Sequence, residues 1–358
     1  MSSSSPTRRA LRTLALATAL TAGSCLALTG TANAKTAAHT GHSAGSSVTS
    51  GALVKGLYQS AYSERNDVLW ATASVGRPPV ASSSLLKVDP ETLKVKDTVT
   101  PPVTDPATGA VEAVYGVAVD DEHNTVWTTN TRDDSVAVYS QRSGEHLATL
   151  PGVAHAREVV VDERHDTAWA SGFSDGSVVA FDTRTYKEKK RVTVEGSSPA
   201  GLTVDERTGT VYATDLNGDQ LIGIGRRSTT PRLIPAGDGP ISVSLSRDGR
   251  TAYTADQTGG TVSVIDLRKG AVSRTVPTGA GALSVATDAR SGRVLVANRT
   301  AGDVTVVDPR AGAVVETLAT GANPNHVQTD EGGAAYVVDK SGAGPGGEDQ
   351  VHRIRVGR

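Results

Sequence analysis

The sequence has little cysteine, few aromatic residues and no strong excess of charge of either sign. Its 358 residues include one cysteine, so no disulfide can form within the chain. Aromatic residues make up 4% of the chain, and 36 basic residues face 38 acidic ones, for a formal charge of −2. That balance argues against a strongly basic nucleic-acid-binding protein. The apolar fraction of 37% is enough to build a core, which excludes a fully disordered chain.

The first 34 residues have the layout of a secretory signal peptide. Arg8, Arg9 and Arg12 precede an apolar run over residues 14–28, and Ala-Asn-Ala at residues 32–34 forms a small-residue cleavage site. The run is too short to span a bilayer comfortably. We therefore expect a secreted, extracytoplasmic protein whose signal peptide, residues 1–34, is cleaved. The paired arginines leave both general secretion and twin-arginine export open.

Cleavage removes three arginines and no acidic residue, which changes the formal charge from −2 to −5. The mature chain then contains no cysteine and folds without disulfide chemistry. Residues 35–50 are rich in Ala, Thr, Ser and Gly, and this composition predicts a flexible leader. Residues 51–358 remain for the folded part.

A repeat of about 42 residues runs through this folded part, and it decides the fold class. In each unit a large residue lies within an apolar strand, and successive positions are separated by 57, 42, 43, 41, 42 and 41 residues. These positions are Trp70, Trp127, Trp169, Tyr212, Tyr253, Leu295 and Tyr336. Seven units are present, with one insertion between the first and the second.

Each unit reads as four short β-branched runs separated by turn residues, at strand length and without a helical period. Four strands in about 42 residues is typical of a β-propeller blade. The sequence therefore predicts an all-β, seven-bladed β-propeller of four-stranded antiparallel blades over residues 51–358. The seventh unit supplies three strands, so we expect residues 51–55 to add the fourth and to close the ring.

Several segments resemble the YVTN repeat and the YncE-like family of exported bacterial seven-bladed propellers. Residues 253–256 (Tyr-Thr-Ala-Asp) and 262–266 (Val-Ser-Val-Ile-Asp) are similar to the two phrases of the repeat. Residues 61–64 with 69–73 resemble the family's first blade, and residues 157–160 resemble the start of its third. The resemblance implies a binding protein outside the cytoplasm without a shared catalytic residue set. Single-stranded DNA binding is an activity proposed within the family.

Three long segments locate the candidate site. In a propeller, the turns between strands 2 and 3 and between blades share one face, and residues 74–84, 100–113 and 341–350 all belong to this set. Because blades 7 and 1 become neighbours on closure, we expect these segments to cluster on one side of one face. Loops carry binding chemistry more often than framework strands.

The innermost strands begin on the same face, around the central channel. We predict that six of their first residues bind a ligand: Tyr58, Tyr115, Arg157, Glu158, Asn325 and His326. An arginine and a histidine at a channel mouth suit an anion or a carboxylate. No histidine has metal-ligand spacing and no motif indicates a cofactor, so we predict no catalytic residue, no metal and no cofactor.

Three functions agree with these patterns. The first is a monomeric, non-enzymatic binding or scaffold propeller whose partner is an unknown small ligand or a protein or cell-surface component. The second is a hydrolase or lyase acting on a small ester or lactone, with His326 transferring a proton and Arg157 polarising the substrate. The third is single-stranded nucleic-acid binding, against which the charge of −5 and the scarcity of aromatic residues argue.

Overall fold

The computed structural model describes residues 45–357. The predicted signal peptide and most of the predicted leader lie outside these residues. Within them, strands account for almost all regular structure, because β-branched runs alternate with Gly and Asp turns throughout. No helix of the described residues is long and apolar enough to cross a membrane.

The strands form seven four-stranded antiparallel sheets and one small hairpin. The chain starts with β1 (Ser47–Ala52). Blade 1 follows as β2 (Leu57–Ser63), β3 (Val68–Val75), β4 (Ser82–Val88) and β5 (Val95–Val99). The hairpin is β6 (Val103–Asp105) and β7 (Ala110–Val111). Blade 2 contains β8 (Val114–Asp120), β9 (Thr125–Asn130), β10 (Ser135–Ser140) and β11 (His146–Pro151).

The next two blades repeat this order. Blade 3 contains β12 (Ala156–Asp162), a single 3₁₀ turn (Glu163–His165), β13 (Thr167–Gly172), β14 (Ser177–Asp182) and β15 (Glu188–Thr193). Blade 4 contains β16 (Pro199–Asp205), β17 (Thr210–Asp215), β18 (Gln220–Ile224) and β19 (Arg232–Pro235).

The last three blades complete the ring. Blade 5 contains β20 (Pro240–Leu245), β21 (Thr251–Asp256), β22 (Thr261–Asp266) and β23 (Ala271–Pro277). Blade 6 contains β24 (Ala282–Thr287), β25 (Val294–Asn298), β26 (Asp303–Asp308) and β27 (Ala313–Ala319). Blade 7 contains β28 (Pro324–Thr329), β29 (Ala334–Asp339) and β30 (Gln350–Arg355). The predicted seven-bladed β-propeller is confirmed.

The N-terminal strand β1 supplies the outer strand of blade 7, as expected, but it lies at Ser47–Ala52 and not at residues 51–55. It begins inside the segment predicted to be flexible. Most of its side chains are exposed, so it lacks the apolar alternation that marks the other strands. Its position is set by antiparallel pairing with β30 and by a 2.7 Å hydrogen bond between Ser50 Oγ and His352 Nδ1.

The core lies between neighbouring blades, where the repeated large residues pack. Trp70, Trp127 and Trp169 are buried, and so are their equivalents in blades 5, 6 and 7; Tyr212 of blade 4 is half-buried. Trp127, for example, packs among valines and alanines of blades 2 and 3. Truncating such a buried aromatic side chain to alanine typically costs about 3–5 kcal/mol.

The long segments differ in detail from the prediction. Strand pairing continues to Val75 opposite Ser82, so the loop between β3 and β4 is residues 76–81 and is shorter than expected. The segment after blade 1 contains the β6–β7 hairpin, whose Val111 N–H donates to the Val80 carbonyl at 2.9 Å. The two insertions of this side of the ring therefore contact each other.

Candidate functional site

A cavity of about 510 Å³ runs along the axis of the ring and is lined by the innermost strands of all seven blades. All six residues predicted from the sequence line it, namely Tyr58, Tyr115, Arg157, Glu158, Asn325 and His326. The structure therefore brings them together in one chamber, although they come from four different blades. Whether they bind a ligand stays a prediction.

A β-bulge at the start of each innermost strand turns these side chains toward the axis. The pairing of β2 with β3 skips from Leu57 to Ser60, which leaves Tyr58 and Gln59 unpaired. The pairing of β12 with β13 skips from Ala156 to Val159 and frees Arg157 and Glu158 in the same way. A bulge redirects side chains and interrupts the ladder, and such irregularities are frequent next to binding sites.

Hydroxyl groups of neighbouring blades hold the bulged backbone. Thr72 of blade 1 donates to the Tyr115 carbonyl of blade 2. Thr129 of blade 2 donates to the Arg157 carbonyl of blade 3 at 3.1 Å. Ser171 continues the series into blade 4. In blades 1 to 3, the second strand thus supplies a donor to a bulged carbonyl of the next blade.

Glu158 is tied to two other blades through Gln59. The Gln59 side-chain amide donates to Glu158 Oε2 at 2.9 Å, and its oxygen accepts the Val117 backbone N–H at 3.2 Å. Burial raises the pKa of Glu158 to about 7, against the opposing effects of the Gln59 hydrogen bond and the Arg157 charge. The carboxyl group is therefore about half protonated near neutral pH.

Arg157 lies beside Glu158 and stacks near Phe173, with the guanidinium carbon 5.5 Å from the ring centroid. Within residues 45–357 no acceptor forms a hydrogen bond with its guanidinium. Burial lowers the pKa of Arg157 and Glu158 opposes this, but a guanidinium stays charged at any physiological pH. Arg157 therefore presents a positive charge and free donors to the chamber.

His326 is a neutral residue. Burial lowers its pKa to about 4, and its Nδ1 accepts the Ser60 backbone N–H at 3.4 Å. With Nδ1 as acceptor, the ring proton lies on Nε2, which is then a donor. His326 thus offers a hydrogen bond and no charge near neutral pH.

Asn325 has both ends of its amide engaged within the protein. Its nitrogen donates to the Tyr58 carbonyl at 2.7 Å, and its oxygen accepts from Arg299 at 3.0 Å. The residue joins blade 7 to blade 1 across the closure of the ring. Its position in the chamber is as predicted, but its contacts are those of a linker between blades.

Tyr58 and Tyr115 form an edge-to-face pair with ring centroids 4.4 Å apart. The Lys340 ammonium lies 3.5 Å from the centroid of the Tyr58 ring and also donates to the Leu57 carbonyl. Burial lowers the pKa of Lys340 to about 8. One face of Tyr58 is therefore covered, and the pair forms a firm wall of the chamber.

Several curated proteins are similar in sequence to this chain. The uncharacterized protein YncE of Salmonella typhi is 24% identical to this chain over 237 residues, which cover 62% of this chain and 65% of the relative. The uncharacterized protein YncE of Escherichia coli (strain K12) is 25% identical over the same length and the same shares. The chain thus spans 65% of the length of these relatives. No protein-family model matches the chain.

The chain is a seven-bladed β-propeller that is similar in sequence to the YncE proteins. The names of these relatives state no activity, so the chemistry of the site rests on this chain's own residues.

The cavity is also lined by three arginine or histidine residues that we did not predict from the sequence, Arg132, Arg299 and His155. Arg132 and Arg299 lie in turns that follow the second strands of blades 2 and 6, and Lys340 has the same place in blade 7. The sequence contained a signal for these residues, because turns between strands 2 and 3 lie on the same face as the three long segments. Basic residues one or two positions after a second strand were therefore candidates.

Proposed function

We propose that this protein is an exported, non-enzymatic binding propeller that holds a small anionic ligand at the mouth of its central channel. The charge of the residues that line the chamber supports this proposal. Arg132, Arg157 and Arg299 line one chamber, and Glu158 is the one acidic residue among the described residues that line it. A chamber with three guanidinium groups and one half-protonated carboxyl group has an excess of positive charge.

The available donors fit an oxyanion. Guanidinium groups bind carboxylate and phosphate in a bidentate manner, and charge-assisted hydrogen bonds contribute about 1.5–3 kcal/mol each. The neutral His326 adds an Nε2–H donor without competing for the anion's charge. The apolar residues on the other side of the chamber, such as Ile241 and Leu283, leave room for a non-polar part of the ligand.

The test is a thermal-shift screen of the purified full chain with carboxylates, phosphate esters and mononucleotides, followed by calorimetric titration of the strongest hit. We expect Arg157→Ala to weaken that ligand at least tenfold. The matched control is Arg207→Ala, which removes the same charge from an exposed arginine paired with Asp205 outside the chamber. Equal affinity in the Arg157→Ala protein, or an equal loss in the control, would contradict the proposal.

Single-stranded nucleic acid is a second candidate, favoured by cationic and tyrosine side chains at one mouth. Phosphate contacts make such binding fall steeply with salt. If an oligonucleotide is the ligand, it should bind more tightly than a mononucleotide, with an affinity that falls by more than tenfold between 50 and 200 mM salt, as is typical of several phosphate contacts. If a mononucleotide binds with the same affinity as an oligonucleotide, the ligand is a small anion and not a nucleic-acid strand.

The hydrolase alternative gains less support. A histidine with a pKa of about 4 is a weak base near neutral pH, so His326 is poorly suited to the proton transfer that this alternative requires. A screen of esters and lactones with the His326→Ala variant as control tests it. Turnover by the unmodified protein that is lost in the His326→Ala variant would support the hydrolase hypothesis.

Export and the monomeric state complete the proposal. We expect the mature protein outside the cytoplasm to begin at Lys35, and light scattering to give the mass of one chain. N-terminal sequencing of the secreted protein checks the first expectation. An intact N-terminus on protein confined to the cytoplasm would contradict it.

A further inference from the structure

A second cavity, of about 810 Å³, lies between turns of blades 6 and 7. It is formed by turns between strands 1 and 2 and between strands 3 and 4, together with the end of β30, and thus lies on the face opposite the channel mouth. We call it the arginine groove. Its charged residues are Arg290, Arg293, Arg310, Arg353 and Arg355, together with Asp288, Asp308 and Asp330.

The three aspartates are engaged by their own turns. Asp288 accepts the Arg290 backbone N–H at 2.9 Å, and Asp308 accepts those of residues 310 and 311 at 2.8 and 3.0 Å. Asp330 accepts the Ala334 N–H at 2.8 Å. Their lone pairs therefore stabilise backbone turns, and none of them forms an ion pair with an arginine of the groove within the described part of the chain.

The arginines keep most of their donors free. Arg310 forms no side-chain hydrogen bond within residues 45–357. Arg290 and Arg293 each use a single nitrogen, on the carbonyls of Gly332 and Gly357. The other two arginines share one acidic partner outside the groove.

That partner is Glu91, which lies 2.8 Å from Arg353 and 3.7 Å from Arg355. The buried Nε of Arg353 has no hydrogen-bond partner among the described residues. Even with Glu91 included, the five arginines exceed the four carboxylates. The groove therefore contains an unsatisfied buried donor and free guanidinium groups.

The same repeat position is neutralised in another blade. In blade 4, Arg207 pairs with its own turn aspartate, Asp205, at 3.0 Å. In blade 6, Arg290 occupies the equivalent place after Asp288 but extends to the carbonyl of blade 7 instead. The free positive charge is thus a local feature of blades 6 and 7 and not a consequence of the repeat.

We propose that the arginine groove binds a compact oxyanion with at least two charged groups, either phosphates or carboxylates. Two groups are required because the guanidiniums come from different blades: Arg310 of blade 6 is unpaired among the described residues, and Arg355 of blade 7 has only the 3.7 Å contact with Glu91. Planar guanidinium donors match both kinds of oxyanion. This site is separate from the channel and does not depend on the function proposed for it.

The experiment titrates pyrophosphate and citrate at constant ionic strength into the full chain carrying Arg157→Ala, which weakens binding in the channel. In that background we expect Arg310→Ala and Arg355→Ala each to weaken the bound anion at least fivefold. The matched control is Arg268→Ala, since Arg268 has the same place in the exposed turn of blade 5. It should change the affinity less than twofold.

Binding of pyrophosphate alone assigns phosphate groups to the ligand, and binding of citrate alone assigns carboxylates. No binding of either anion, or an equal loss in the Arg268→Ala protein, would overturn the proposal. Both groove variants are at exposed positions, and an unchanged melting temperature verifies that they fold.

Discussion

The two sides of the channel mouth share one backbone and differ in chemistry. On blades 7, 1, 2 and 3, the bulged residues include Asn325, Tyr58, Tyr115 and Arg157, all polar or aromatic. At the corresponding places, blades 4, 5 and 6 have small or apolar residues, namely Ala200, Ile241 and Leu283. The bulge is a property of the repeat, whereas the side chain that it redirects is specific to each blade.

This difference indicates how a symmetric ring acquires a directional site. A supporting hydroxyl occurs on both sides, since Ser171 donates to the Ala200 carbonyl of blade 4 as Thr129 donates to that of Arg157 in blade 3. This backbone contact therefore does not explain the difference between Ala200 and Arg157. The closure of the ring contributes to the difference, because blades 7 and 1 meet within the polar side and place Lys340 beside Tyr58, near Arg299 of blade 6.

We expect the largest loss of stability from removing β1, the strand that closes the ring on the polar side. Deleting residues 47–52 removes β1 and exposes the edge of β30. We expect a loss of about 3 kcal/mol or more, which is about 6 °C in Tm for a domain of this size. Thermal denaturation measures this loss. Deletion of residues 35–44 is the control, and an equal Tm for both deletions would show that β1 does not stabilise the ring.

The protonation state of Glu158, on the polar side of the chamber, should make anion binding depend on pH. The raised pKa, about 7, means that the carboxyl group is neutral below pH 7 and negative above it. An anion bound near Arg157 should therefore bind more tightly as the pH falls, by about tenfold between pH 8 and pH 6, the factor that follows if only the neutral form binds. Calorimetric titration at these two pH values measures the effect.

The isosteric Glu158→Gln protein is the control for that experiment. It retains an acceptor for Gln59 and has no titrating group at this position, so the change in affinity should fall to twofold or less, the most that half-deprotonation of Lys340 at pH 8 can cause. The remaining charged or histidine groups that line the chamber are Arg132, His155, Arg157, Arg299 and His326, and Lys340 lies against its Tyr58 wall. Burial lowers the pKa of both histidines. A pH dependence that persists in the variant would assign the titration to another group.

The smallest effects compare one residue from each side of the chamber. Arg132 is exposed at the rim, and its side chain forms no hydrogen bond with another described residue. We expect Arg132→Ala to weaken an anion about fivefold, which corresponds to about 1 kcal/mol. Leu283→Ala on the apolar side should change the affinity less than twofold. Equal losses in the two variants would indicate that the ligand does not distinguish the sides.

Periodicity alone was enough to predict the fold. A 42-residue spacing of large residues requires units that bury each other, so Trp127 and Tyr336 could be assigned to the core before any contact was known. The candidate residues also followed from the repeat, because Arg157 and His326 occupy positions at which other blades place apolar residues. Strand β1 was misplaced by four residues, since an exposed edge strand needs no apolar alternation and leaves little trace in the sequence.

The amino-acid sequence by itself thus determined the number of blades, the closure from the N-terminal side and six of the residues that face the channel. These properties depend on local strand and turn preferences repeated along the chain. Only the tertiary structure decided that Arg132 and Arg299 join the chamber, that Asn325 links two blades, and that Glu158 titrates near neutral pH while His326 stays uncharged. Distances across the ring and burial by other blades set these properties, and neither is a function of neighbouring residues in the chain.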